Sequence, residues 1–248
     1  MKQVAVDFGD MYIGLDTKFV RTLKDLCIRP QAVIKGYLFG RRAYYMDAIR
    51  YLLLSLFVSG VFLFVMRSSG GLDDYMTSMI PKNITANGSE EMQKQIATQT
   101  KVTNWLFDYQ GIVVFLTIPI LALGGKITFW GKKYFNFTEQ LVFYMYTYSH
   151  VVMISTPISI LLVWLSPKLF TYFSIVTYPA MYLYNAYCYK KCFQLDIANT
   201  ILRALIGIVV IIVLFLLTIV LFSILGFLTA VIASKIGYDV KGFFDGYF

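Results

Sequence analysis

Glu139, Phe143, Tyr146 and His150 recur at i, i+4, i+7 and i+11, so a helix would carry them as one continuous stripe. A carboxylate, a phenol and an imidazole in line could pass protons, and His150 is the only histidine in the chain. The stripe lies in an apolar stretch, where an ionisable side chain is a functional hypothesis by default. A structural reading competes with it. Asn136 and Glu139 have capping-box spacing, which would set Glu139 at a helix start, satisfying backbone donors instead of relaying protons.

Other residues carry weaker signals. Asp108 and Gln110, with Trp105 nearby, fall where an apolar block meets polar sequence. They suit the outer mouth of a cation or substrate path, or simply an interface, where tryptophan and polar residues are routine. Lys35, Arg41, Arg42 and Arg50 precede or open the first apolar block, as expected of residues that meet anionic headgroups or a docking partner. Cys188 and Cys192, four apart, could share a helix face, but with Cys27 they supply neither a disulfide framework nor the four ligands of a structural zinc site. No metal and no cofactor is expected. The chain has no G-x-S-x-G, no H-E-x-x-H and no glycine-rich phosphate loop, so no enzyme is expected either.

The elements that would hold these residues are membrane spans. Hydrophobic residues make up 58% of the 248 positions and charged ones only 15%, with mean hydropathy +0.65. Soluble domains carry about 25% charged residues. The shortfall is concentrated in long apolar blocks, so the fold class is an all-α integral membrane protein, with lipid as the solvent. The net charge of +8 is spread through the amphipathic N-terminal region and the flanks of the apolar blocks, which argues against nucleic acid as a partner.

Residues 1–46 read as a cytoplasmic region with two short amphipathic helices. The first, capped by Asp16, would place Phe19, Val20, Leu23, Leu26 and Cys27 on one face. Pro30 would end it and open the second, with Val33, Ile34, Tyr37 and Leu38 on one side. Such helices could lie in the bilayer interface or pack as a hairpin on the membrane domain. That domain, 47–234, would hold about five spans, near 48–66, 105–123, 138–165, 169–187 and 201–234. Gly124 and Gly125 are expected to stop the second span, and Pro157 to kink or tilt the third. A polar loop at 67–104, with helix around Glu90 to Thr103 and sequons at Asn83 and Asn87, would be external. Residues 235–248 form a tail. Fourteen basic residues would then lie on the N-terminal side and seven on the other, so the N-terminus is expected in the cytoplasm. The last block is long enough to cross once with protruding ends or to turn back as a re-entrant hairpin.

The stretch from Arg29 to Leu54 resembles the entry to the first span in the DUF3667 family of uncharacterised membrane proteins, found mainly in Bacteroidota. Arg29, Pro30, Val33, Ile34, Tyr37, Leu38, Gly40, Arg42, Tyr45, Arg50 and Tyr51 carry the likeness. Asp47-Ala48-Ile49 stands where the family has Asn-Pro-Phe. A second segment, Tyr134 to His150, is similar to the family's opening of the third span, with Gln140 where a histidine is frequent. The resemblance implies a multi-pass protein of the bacterial inner membrane. The N-terminal zinc ribbon of many members has no counterpart, because its cysteines are missing.

The expected function is a non-enzymatic scaffold or accessory subunit of a membrane assembly, with the bilayer and other membrane proteins, or further copies of itself, as partners. The alternative is a small-molecule or lipid transporter using the Glu139/His150 stripe. A lipid-modifying enzyme is the third reading, and it lacks a nucleophile with a positioned base.

Overall fold

The computed structural model describes residues 18–40, 44–71, 75, 90–131 and 134–235, and every regular element among them is an α-helix. We number the helices α1 (18–28), α2 (Pro30–Leu38), α3 (Ala48–Ser68), α4 (Glu90–Asp108), α5 (Gln110–Thr128), α6 (Phe137–Leu165), α7 (Pro167–Phe193) and α8 (Ile197–Lys235). Four of them, α3, α5, α6 and α8, are long and apolar enough to cross a membrane. The chain is therefore a multi-pass membrane protein of all-α class. Asp16, Arg41, Arg42, the sequons at Asn83 and Asn87 and the tail from 236 lie outside the described residues.

Helix α6 is the hub, with contacts to α2, α3, α5 and α7. Its buried residues, among them Gln140, Phe143, Tyr144, Tyr146, Thr147, His150 and Met153, lie on more than one face. That is the pattern of a helix surrounded by others rather than of a surface helix with one apolar stripe. Pro157 leaves α6 continuous from Phe137 to Leu165.

Two boundaries differ from the sequence reading. The second apolar helix begins at Gln110, because α4 ends at Asp108 and the chain breaks at Tyr109. Gly124 and Gly125 do not stop it; both are buried inside α5, which runs on to Thr128. In lipid, small residues mark close helix approach, since packing rather than water exclusion drives association. The described part of the last apolar block, 197–235, is one uninterrupted helix.

Helix α7 is long enough to cross but is less apolar, owing to its tyrosines, and falls short of the other four. Packing nevertheless carries it along the full height of the bundle. Near its start Phe170 meets Phe62 (5.8 Å between centroids) and Tyr75 (5.2 Å) at the end of the bundle away from α1 and α2. Near its finish the Tyr184 hydroxyl donates to the Leu26 carbonyl at 3.1 Å, and Phe193 packs on Phe135 at 4.6 Å.

The α1–α2 hairpin is packed onto the bundle. Leu26, Val33 and Ile34 are fully buried, whereas Val20, assigned to the apolar face by spacing, is exposed. Burying an aliphatic side chain of this size contributes about 1.5–3 kcal/mol, so these three alone dock the hairpin firmly.

Candidate functional site

The sequence segment that carries the family likeness folds into a hydrogen-bonded lock at the α1–α2 end. Arg29 grips Asp25 with two bonds, Nε to Oδ1 at 3.0 Å and Nη2 to Oδ2 at 3.2 Å. The Tyr45 hydroxyl donates to Asp25 Oδ2 at 2.8 Å, and Thr22 Oγ1 accepts from the Met46 amide at 2.9 Å. Burial alone would raise the Asp25 carboxyl, but the bonds from Arg29 and Tyr45 outweigh it and hold the group below its ordinary 3.8. The same environment, burial first and then the Asp25 bond, pushes the Tyr45 phenol up to about 12. Asp47 caps α3, accepting from the Ile49 amide at 2.9 Å, and its other oxygen accepts from Tyr37 at 2.9 Å. Aspartate thus supplies the N-cap of α3.

Above this lock the predicted stripe comes apart into three separate roles. Asn136 and Glu139 form the capping box: Glu139 N donates to Asn136 Oδ1 at 2.9 Å, and Asn136 N donates to Glu139 Oε2 at 2.7 Å. The Tyr146 hydroxyl donates to the Met46 carbonyl at 2.6 Å. His150 bonds neither of them. A stretch of eleven helical residues separates Glu139 from His150, about 16 Å at 1.5 Å per residue.

His150, only 2% exposed, instead sits between residues that the sequence reading had not connected to it. Its Nε2 lies 3.2 Å from Cys27 Sγ and its Nδ1 3.3 Å from the Tyr51 hydroxyl, while the Tyr184 ring stacks on it at 5.2 Å. Cys27 is on α1, Tyr51 on α3, His150 on α6 and Tyr184 on α7, so one imidazole ties four helices together. Cys27 is exposed, and partial desolvation beside the bundle raises its thiol above the ordinary value. No local spacing signal announces this cluster. Only residue type could have suggested it: the single histidine and a cysteine outside the C-terminal pair.

An apolar groove of about 400 Å³ runs from Cys27 and His150 between α6 and α7, past Ile154, Ile158, Phe173 and Val176. Its volume falls in the roughly 300–1,000 Å³ range of small-molecule sites. Tyr187 is shared with a neighbouring hollow of about 580 Å³ that Gln31, Lys190, Lys191 and Gln194 line.

A smaller cavity, about 190 Å³, lies between α5, α6, α7 and α8. Gly124 and Gly125 form one wall, and Tyr182, Asn185, Tyr189 and Arg203 face it. The Arg203 guanidinium sits 4.4 Å from the Tyr134 ring centroid and donates to the Thr128 carbonyl at 3.1 Å and the Tyr134 hydroxyl at 2.8 Å. Asn185 is 7% exposed and its Oδ1 has no partner among the described residues.

The remaining predicted residues are dispersed. Asp108 pairs with Arg67 at the opposite end, both about half-exposed. Gln110 Oε1 accepts from Ser59 Oγ at 3.1 Å. Lys35 lies 6.0 Å from the Phe193 ring, and Arg50 is exposed at the start of α3. Among the described residues no group of three or more His, Cys, Asp or Glu could hold a metal ion.

No curated protein matches the chain, and no solved structure does. Residues 16–60, which span the lock and most of α3, match the family described as "Protein of unknown function (DUF3667)", and the match covers this segment of the chain.

Proposed function

We propose that the chain is a non-enzymatic subunit of a membrane assembly, engaging a partner within the bilayer through α8. The observation that carries this reading is the exposure of that helix. Ala204, Ile211, Leu214 and Thr218, half-buried, form a narrow stripe with the buried Gly207, and from Ile219 to Thr229 every described side chain is exposed. Only 6% of its most apolar window is buried, against 22–33% in the other three apolar helices. At 39 residues the helix is about 58 Å long, nearly twice a hydrocarbon core of about 30 Å. A helix this long with so few neighbours is suited to bind another transmembrane helix.

The orientation we propose places the α1–α2 end in the cytoplasm of a bacterial inner membrane. Arg21, Lys24, Arg29, Lys35, Arg50, Lys126, Lys190, Lys191 and Arg203 all belong to that end of their helices or to the hairpin. This is the asymmetry of the positive-inside rule. Photo-crosslinking residues at Val209, Phe215 and Val220 test the assembly reading in native membranes, with exposed Phe57 on α3 as the reference. Discrete protein adducts from α8 positions alone support it, and their masses tell a second copy from another protein. Adducts to lipid only, at every position, overturn it.

A second reading, a lipid or small-molecule carrier, is favoured by the cavity holding Arg203 and Asn185, whose Oδ1 has no partner among the described residues. It does not use the Glu139/His150 stripe, because Glu139 is committed to its cap. Transport in proteoliposomes that is lost in Asn185→Leu and kept in Glu139→Gln would favour it over the assembly reading.

A further inference from the structure

The Cys27–His150 pair lines an apolar groove, and Tyr187, whose hydroxyl donates to the Cys27 carbonyl at 3.4 Å, stands between that groove and a second environment. On one side is the apolar groove between α6 and α7, on the other the hollow with Lys190 and Lys191, and Tyr187 walls both. A thiol with an imidazole at 3.2 Å is the arrangement of an activated nucleophile, and Tyr51 at 3.3 Å from the other ring nitrogen fixes the ring. An alkyl chain would find the groove almost wholly apolar, and a phosphate-bearing head would find two cations, Lys190 and Lys191, in the hollow beyond Tyr187. That combination of charge and apolarity selects an amphiphile whose reactive centre lies between tail and head.

We propose that Cys27 is an acyl acceptor: it takes a long-chain acyl group from a thioester on a phosphate-bearing carrier and holds it in the α6–α7 groove. With the imidazole proton on Nδ1, the Tyr51 oxygen accepts from it and Nε2 faces the thiol as base. The Cys27 proton passes to Nε2 as sulfur attacks the thioester carbonyl carbon. A new carbon–sulfur bond to Cys27 forms, the carrier's carbon–sulfur bond breaks, and His150 returns the proton to the departing carrier thiolate. Nothing is oxidised or reduced. Partial desolvation disfavours the Cys27 thiolate, so transfer depends on His150, 3.2 Å away, as base. The product is a chain covalently fixed to α1 and lying along α6 and α7, which would fasten the hairpin to the bundle without turnover.

The test uses the full-length protein in nanodiscs with an ω-alkynyl C16 acyl-coenzyme A, read by fluorescent tagging, hydroxylamine release and peptide mapping. The expected result is hydroxylamine-labile label on Cys27, lost in Cys27→Ala and retained in Cys188→Ala and Cys192→Ala. His150→Gln should slow labelling at least about tenfold, the low side of general-base contributions. Ala180 lines the groove on α7, and Ala180→Trp, which fills it, should shift preference from C16 to short acyl chains without loss of the thiol. Replacing Lys190 and Lys191 by Gln should slow the coenzyme A thioester but not the same acyl group on N-acetylcysteamine, which carries no phosphate. Label that persists in Cys27→Ala overturns the proposal. So does a Cys27 rate no higher than that of a free cysteine peptide, or one indifferent to Ala180→Trp and chain length. The Ala180→Trp arm stands even where His150→Gln fails to fold.

Discussion

Gly124 and Gly125 are neighbours on one helix, and the structure predicts opposite consequences for adding one methyl group to each. A Cβ at Gly125 would lie 2.6 Å from the Tyr189 hydroxyl, 2.8 Å from Gln140 Oε1 and 3.0 Å from a Tyr144 ring carbon. The first two atoms are joined by a buried 2.5 Å hydrogen bond, with Tyr189 donating to Gln140, so neither can swing away without breaking it. Tyr189 is further held by stacking on Phe143 at 4.0 Å and Phe129 at 4.2 Å. Overpacking of this kind costs about 1–3 kcal/mol. Loss of a hydrogen bond between membrane helices adds about 0.6 kcal/mol. The better helix propensity of alanine returns up to about 1 kcal/mol. Gly125→Ala should therefore destabilise by about 1–3 kcal/mol. At Gly124 the nearest atom to an added Cβ is a Leu214 methyl at 3.4 Å, an ordinary contact with a flexible side-chain end. Gly124→Ala should then be neutral or stabilising by up to about 1 kcal/mol. Reversible unfolding in mixed micelles, followed by circular dichroism, measures both variants against the parent. Gly125→Ala at or above parental stability would refute the assigned packing of α5 against α6 and α7.

Further outcomes follow from the caps and charges. Asn136→Ala should cost about 1 kcal/mol, the usual worth of an N-cap, in the same unfolding assay. Glu139→Gln, which preserves the reciprocal bond, should change stability by less than about 0.5 kcal/mol. The lowered Asp25 carboxyl contributes stability that is present above its unfolded value and lost as pH falls through the lowered folded one. Acidification below about pH 3.8 should accordingly loosen the α1–α2 hairpin, read as faster amide exchange over 18–38, and Asp25→Asn should remove that dependence. The Arg67–Asp108 pair is about half-exposed on both sides, so a double-mutant cycle should give a coupling of only about 0–1 kcal/mol.

The capping box at Asn136–Glu139 and the break at Pro30 were legible in the sequence, because each is set by residues within a turn of one another. So was the all-α membrane class, since apolar length has to match the bilayer and every spanning backbone group has to be satisfied within its own helix. The inner wiring was not legible. Cys27 and His150 lie 123 residues apart, Tyr51 and His150 99 apart, and no periodicity links positions on different helices. The same reason hid the role of Gly125. A glycine pair at the end of an apolar run looks like a stop, and only the approach of Gln140 and Tyr189 shows it to be a contact point. Helix α7 is the inverse case. Its tyrosines lower its apolarity, yet the height it covers is set by Phe170 at one end of the bundle and Tyr184 at the other. Local chemistry thus determined the helix starts at Pro30 and Asn136 and which solvent the helices meet. Which side chains share a site was decided by the way α6 is enclosed by its neighbours, since burial inside a bundle is a property of several helices at once.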